Sequence, residues 1–151
     1  MTDLTLNKTD DQLNRWCNAL LGSISLIALI GLLMIVPPQL SLSYFNFILY
    51  GSPDFPATMS EEGVRYTSLL YAFLGSVIIG WMILLAWIVH VPLRTGNRSA
   101  WNIIALSITL WFIIDSSVSV ILGYWQNAVS NASLAILVMI PLAMIRSRLN
   151  D

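Results

Sequence analysis

The stretch "WNIIALSITLWFIIDSSVSVILGYWQNAVSNASLAILVMIPLAMI", residues 101–145, decides the fold. It contains two apolar runs, 101–123 and 127–145, each close to the roughly 20 residues that cross a hydrocarbon core as a helix. Between them stands only the short connection "YWQ", so the two helices are expected to be antiparallel neighbours. A single ionisable residue, Asp115, interrupts the first run. A carboxylate near the bilayer centre costs roughly 2.5–3.5 kcal/mol on insertion scales, so it needs partners and often has a task.

Two further apolar runs precede this pair, at 17–36 ("CNALLGSISLIALIGLLMIV") and 66–89 ("YTSLLYAFLGSVIIGWMILLAWIV"). Four crossings follow. The composition agrees: the 151 residues are 57% hydrophobic and only 10% charged, with a mean hydropathy of +0.76, whereas a soluble domain is about one quarter charged. A net charge of −1 without any cluster of Lys and Arg leaves no electrostatic footprint for nucleic acid. The one cysteine, Cys17, allows no intrachain disulfide and no CxxC motif, and is read as a packing residue.

The sequence therefore predicts an all-α, integral membrane, up-down four-helix transmembrane bundle, one domain over residues 1–151. A polar tail covers 1–15, and a long outer loop covers about 37–65. The first run is expected to be a retained helix and not a signal peptide, because its apolar part exceeds about 15 residues and no A-x-A-like site follows. Lys8 and Arg15, Arg94 and Arg98, and Arg146 and Arg148 all fall on one side of four crossings. By the positive-inside rule both termini are expected to be cytoplasmic, in a plasma or inner membrane. Trp16 and Trp101 fit the inner boundary, and Tyr44, Phe45, Phe47, Tyr50, Tyr66, Tyr124 and Trp125 the outer one. In this frame the sequons at Asn7, Asn97 and Asn131 lie inside the cell or inside a helix and are not glycosylated.

Within the long loop, "SYFNFILYG" (43–51) is too short to span but apolar enough to lie in the interface or fold back over the helix ends. The following "GSPDFPATM" (51–59) reads as a turn. Ala72, Ser76 and Gly80 repeat every four residues, a spacing that lets helix backbones approach closely, and Gly22, Gly31 and Gly123 are further candidates for that role. Pro141 is expected to kink the fourth helix.

Asp115 shares a helix face with Trp111, Phe112 and Ser119. For a helix from Trp101 to Trp125 it stands on the order of 3 Å past the midpoint. Asn127 and Asn131, spaced i and i+4 on the next helix, can reach it, with Ser130, Ser133 and Tyr71 behind. The expected ligand site is thus a polar pocket of Asp115, Ser119, Asn131, Trp111, Tyr71 and Asn127, open outward beneath the aromatic segment. The structural account of Asp115 is a protonated carboxyl donating to a serine or asparagine of the neighbouring helix. The functional account is a bound ligand or a transferred proton, and a third account pairs Asp115 with a partner subunit's cation. Arg65 starts roughly 18 Å from the helix centre and is too far for an ion pair.

His90 has no second ligand at metal spacing, so no metal is expected. Trp81 and Trp111 read as core fillers that also suit the wall of an apolar pocket. No catalytic constellation or cofactor motif can be assembled. In layout the chain resembles small bundle families such as the DoxX-like and the sterol-isomerase-like membrane proteins. The isomerase-like group places several intramembrane acids and a histidine around its ligand, whereas Asp115 is the only acid inside an apolar run here, so no site residue carries over.

The leading functional expectation is a non-enzymatic membrane protein that binds a lipid-like apolar molecule or serves as an accessory subunit of a membrane complex. Its partners would be the lipid bilayer, that molecule or a partner membrane protein, and further copies of the chain as a homo-oligomer. An oligomeric proton- or ion-coupled carrier using Asp115 is the second reading, and a membrane enzyme on a hydrophobic substrate the third.

Overall fold

The computed structural model describes the backbone of residues 2–36, 38–52 and 59–149, and the side chains of 11–36, 40–52 and 59–149. Among these residues all regular structure is helical and none is strand: α1 (Thr2–Ile35), α2 (Pro38–Tyr50), α3 (Glu61–Ile88), α4 (Arg98–Ile121) and α5 (Trp125–Arg146). Four segments are long and apolar enough to cross a membrane, Asp11–Ile35, Glu61–Leu93, Arg98–Ile121 and Trp125–Arg146.

The boundaries differ from expectation for local reasons. α1 is helical from Thr2, where a polar tail was expected. α3 starts at Glu61 and not at 66, because Ser60 caps it: its Oγ accepts from the Gly63 N–H at 3.1 Å. Glu61 and Glu62 occupy the first turn, where the helix dipole favours acids. At its other end α3 runs on through a π-helical turn, Val89–Leu93, that contains Pro92. The chain then reverses at Gly96, whose φ of 80° is one that glycine tolerates. Asn97 caps α4 by accepting from the Ala100 N–H at 3.1 Å. The segment "SYFNFILYG" belongs to α2, which at 13 residues is about 20 Å long and too short to span. It folds back against α1, α3 and α5. Most of the turn expected in "GSPDFPATM", residues 53–58, lies outside the described residues, as do the side chains of Asn7 and Lys8.

α1 is the central helix, packed against both α3 and α5, and α5 in turn carries α4. Burial is concentrated in one half of the bundle, the half that ends at the Arg94 turn. There Cys17, Leu20, Leu85, Val89, Ile104 and Leu142 are fully or almost fully buried. Cys17 is thus the packing residue its type suggested. In the other half Leu33, Leu70, Leu74, Val118 and Leu122 are exposed, and α2 lies against α1, α3 and α5. Side chains bridge α3 and α4: Trp81 Nε1 donates to Ser107 Oγ at 3.1 Å, and the rings of Trp81 and Trp111 lie 6.0 Å apart.

α1 and α3 approach closely at Gly31 and Gly75. A Cβ on Gly75 would strike the Gly31 carbonyl oxygen and stand 2.9 Å from Met34 Cβ; one on Gly31 would stand 2.9 Å from Ile78 Cγ2. The contact does not fall on the stripe Ala72, Ser76 and Gly80. Ala72 is half-buried, while Ser76 and Gly80 are exposed, and a Cβ at Gly80 would meet nothing within 4 Å. Gly22 and Gly123 are equally open. Close approach therefore uses Gly75, one residue away from the stripe and on the side turned toward α1.

Pro141 lies inside α5 and has no N–H to give to the carbonyl of Leu137, four residues back. The vacancy is filled from another helix: Ser23 Oγ of α1 donates to Leu137 O at 3.0 Å, sharing its proton with Ala19 O at 3.2 Å. Ser23→Ala would remove the partner of a part-buried carbonyl and is expected to cost on the order of 1 kcal/mol. Unfolding in detergent should report that loss, with Ser25→Ala, at an exposed position of the same helix, as reference. Equal stability of the two variants would refute the pairing.

Candidate functional site

The Asp115 carboxylate faces the less tightly packed half of the bundle. As α4 spans Arg98–Ile121, Asp115 stands about 8 Å beyond the helix midpoint, in the final third, and not within a few ångströms of the centre. Here α2, α3 and the α4–α5 pair enclose a crevice of about 260 Å³. One side of it is apolar and aromatic, from Phe45 and Leu49 of α2 and Tyr71 of α3. The other carries Asp115, Ser119 and Asn127. Val118 and Leu122 also line it and are 49% and 65% exposed, so the mouth opens sideways between helices.

The polar side is a connected network. Asn131 Nδ2 donates to Asp115 Oδ2 at 2.8 Å and reaches Ser116 Oγ at 3.4 Å. Ser119 Oγ donates to the Asp115 carbonyl at 2.7 Å and accepts from Asn127 Nδ2 at 2.8 Å. The i, i+4 spacing on each helix makes this possible: Asp115 and Ser119 present one face of α4 to Asn127 and Asn131 on one face of α5. The contact joins α4 to α5 through the acid, as the structural account expected, with the Asn131 amide nitrogen turned toward the carboxyl. Among the described residues no cation pairs with Asp115. Arg65 is exposed.

Of the six residues expected at the site, Asp115, Ser119, Asn127 and Tyr71 line the crevice. Asn131 is only 5% exposed and stands behind Asp115 as a positioning residue. Trp111, one turn nearer the Arg98 end, pairs with Trp81 and is not part of the lining. Sequence reasoning did not assign Phe45, Leu49 and Tyr124 to the lining, or Ser116 to the network. The signal for Phe45 and Leu49 is the apolar segment "SYFNFILYG", expected to lie in the interface or fold back over the helix ends above the pocket, and that for Tyr124 is its place among the outer aromatic anchors.

Side chains hold α2 in place over the crevice. Phe45 stacks on Tyr71 with ring centroids 4.6 Å apart, Ser41 Oγ donates to Leu33 O at 2.6 Å, and the hydroxyls of Tyr50 and Tyr124 lie 3.1 Å apart. That hydroxyl pair, helped by desolvation, pushes the Tyr50 pKa up to about 12. A raised phenol pKa stabilises the protonated, docked form. Its contribution is complete below the ordinary tyrosine value near 10 and is lost as pH rises through about 12. Absorbance titration should therefore show that Tyr124→Phe brings a late-titrating tyrosine back toward about 10. If no late tyrosine titrates earlier after that change, the link is disproved.

His90 is exposed on the π-helical turn, and no group of His, Cys, Asp and Glu suited to a metal occurs among the described residues. No protein family, curated protein or solved structure matches the chain.

Proposed function

We propose that this chain is a small, non-enzymatic, multi-pass protein of a plasma or inner membrane that binds a single-chain, lipid-like amphiphile in the crevice between α2, α3 and α4. The observation that carries this reading is the pairing of two unlike surfaces in one cavity of about 260 Å³: Phe45, Leu49 and Tyr71 on one side, and Asp115, Ser119 and Asn127 on the other. Ligand sites combine an apolar lining with a few convergent polar groups that fix orientation. The exposed Val118 and Leu122 at the mouth give entry from the acyl-chain region. The distribution of basic residues supports an up-down bundle with cytoplasmic termini, which puts the crevice in the outer leaflet.

Dodecyl amphiphiles bearing a diazirine in the chain, with ammonium, glucoside or carboxylate heads, provide the test on the purified protein in nanodiscs. At least one should label peptides containing Phe45–Leu49 and Val118–Leu122, and Leu49→Trp, which fills the cavity, should suppress that labelling. Labelling spread evenly over lipid-facing positions such as Leu69 and Leu106, which are also exposed, would overturn the reading.

A further inference from the structure

We infer that the crevice selects an amphiphile with a cationic, hydrogen-donating head, a protonated amine, over neutral and anionic heads of the same chain length. This rests on the amphiphile-binding reading above and concerns the polar end of that same site. The hydrogen-bond inventory of the lining decides it. Ser119 has used its proton on the Asp115 carbonyl, and Asn131 directs its amide nitrogen to Asp115 Oδ2 and Ser116. Asn127 has used one amide hydrogen on Ser119. What the polar lining residues have left is acceptor-rich: Asp115 Oδ1 and Asn127 Oδ1, against one amide hydrogen of Asn127 and a Tyr71 hydroxyl that serves in either role, while the Tyr124 hydroxyl is paired with that of Tyr50.

Charge points the same way. Asp115 is the only ionisable carboxyl or base in the lining, and no Lys, Arg or His contributes to it among the described residues. A carboxylate in a partly dehydrated crevice gains most from a ligand that brings its own positive charge and N–H donors. An anionic head would meet like charge there, and a sugar would satisfy fewer of the acceptors per unit of charge. The aromatic faces of Phe45, Tyr71 and Tyr124 complete the lining, and such faces attract an ammonium within about 6 Å of the ring centre. The ammonium has two sources, a free cationic amphiphile or the amine of a lipid headgroup. Among the described residues the lining holds no base to receive a lipid phosphate.

The diazirine series also tests this inference. In phosphatidylcholine nanodiscs the ammonium probe should half-saturate the crevice peptides at least tenfold below the glucoside and carboxylate probes, and Asp115→Asn should remove that advantage. Asn keeps an acceptor for Asn131, so the network survives the change. Should the variant fail to fold, the ranking in the unaltered chain is decisive by itself. Equal labelling by the three heads, or a preference for glucoside or carboxylate, overturns cation selectivity and leaves amphiphile binding standing; absence of crevice labelling by every probe overturns the binding reading itself. Adding phosphatidylethanolamine to the discs distinguishes the sources: reduced labelling by the ammonium probe assigns the site to a lipid amine, and unchanged labelling to a free one.

Discussion

Gly75→Ile is expected to unfold the bundle, or to lower its stability in detergent by about 3 kcal/mol, the upper end of overpacking costs. The obstacle is backbone: the new Cβ would meet the Gly31 carbonyl oxygen, with Met34 Cβ 2.9 Å away and Ile35 Cγ1 at 3.1 Å. A side chain can rotate away, but a helix carbonyl moves only if α1 and α3 separate. In the membrane no hydrophobic drive compensates for the separation, since helix association there depends on close packing. Gly80→Ile, on the same helix but with nothing within 4 Å of its Cβ, should leave the melt close to that of the unaltered chain. If the two variants melt alike, the α1–α3 contact has been misplaced.

Asn131→Leu comes next in expected size. The substitution removes a buried amide that donates to Asp115 Oδ2 at 2.8 Å and leaves the carboxyl without its only side-chain donor among the described residues. A buried polar group left without its partner costs about 1–3 kcal/mol, and intramembrane bonds measured by double-mutant cycles contribute less, so about 1–2 kcal/mol is expected. The informative experiment is the cycle of Asn131→Leu with Asp115→Leu. Coupling of about 1 kcal/mol or more indicates that each residue matters through the other. Additive losses would mean that the 2.8 Å contact contributes nothing to the fold. Asn127→Ala, at a half-exposed position, should destabilise far less.

The polar side of the crevice was legible because both of its helices are marked by apolar runs. On such helices the spacing of Asp115, Ser119, Asn127 and Asn131 is enough to show which side chains share a face. Phe45 and Leu49 were not assigned to the same site because they come from an element that no span-length rule identifies. α2 is short, and it owes its place to contacts with α1, α3 and α5, which periodicity within one segment does not encode. The stripe Ala72, Ser76 and Gly80 shows the converse limit. Small residues permit close approach on whichever face meets a neighbour, and Gly75, one position away, is turned toward α1 instead. The depth of Asp115 shifted for a simpler reason: α4 begins at Arg98, three residues before Trp101, and ends at Ile121.

The repair of α5 at Pro141 has a consequence for how this sequence can change over generations. The proline is tolerable because a hydroxyl on another helix takes over a bond that the α5 backbone cannot make, with Ser23 Oγ 3.0 Å from Leu137 O. Loss of the proline would restore the ordinary N–H donor, and Ser23 would then be free to drift. While the proline stays, the serine is constrained by a defect more than a hundred positions away along the chain. The two sites form a dependency with a direction, in which the order of substitutions decides which intermediates survive: proline out before serine out is passable, and the reverse order crosses a less stable ancestor.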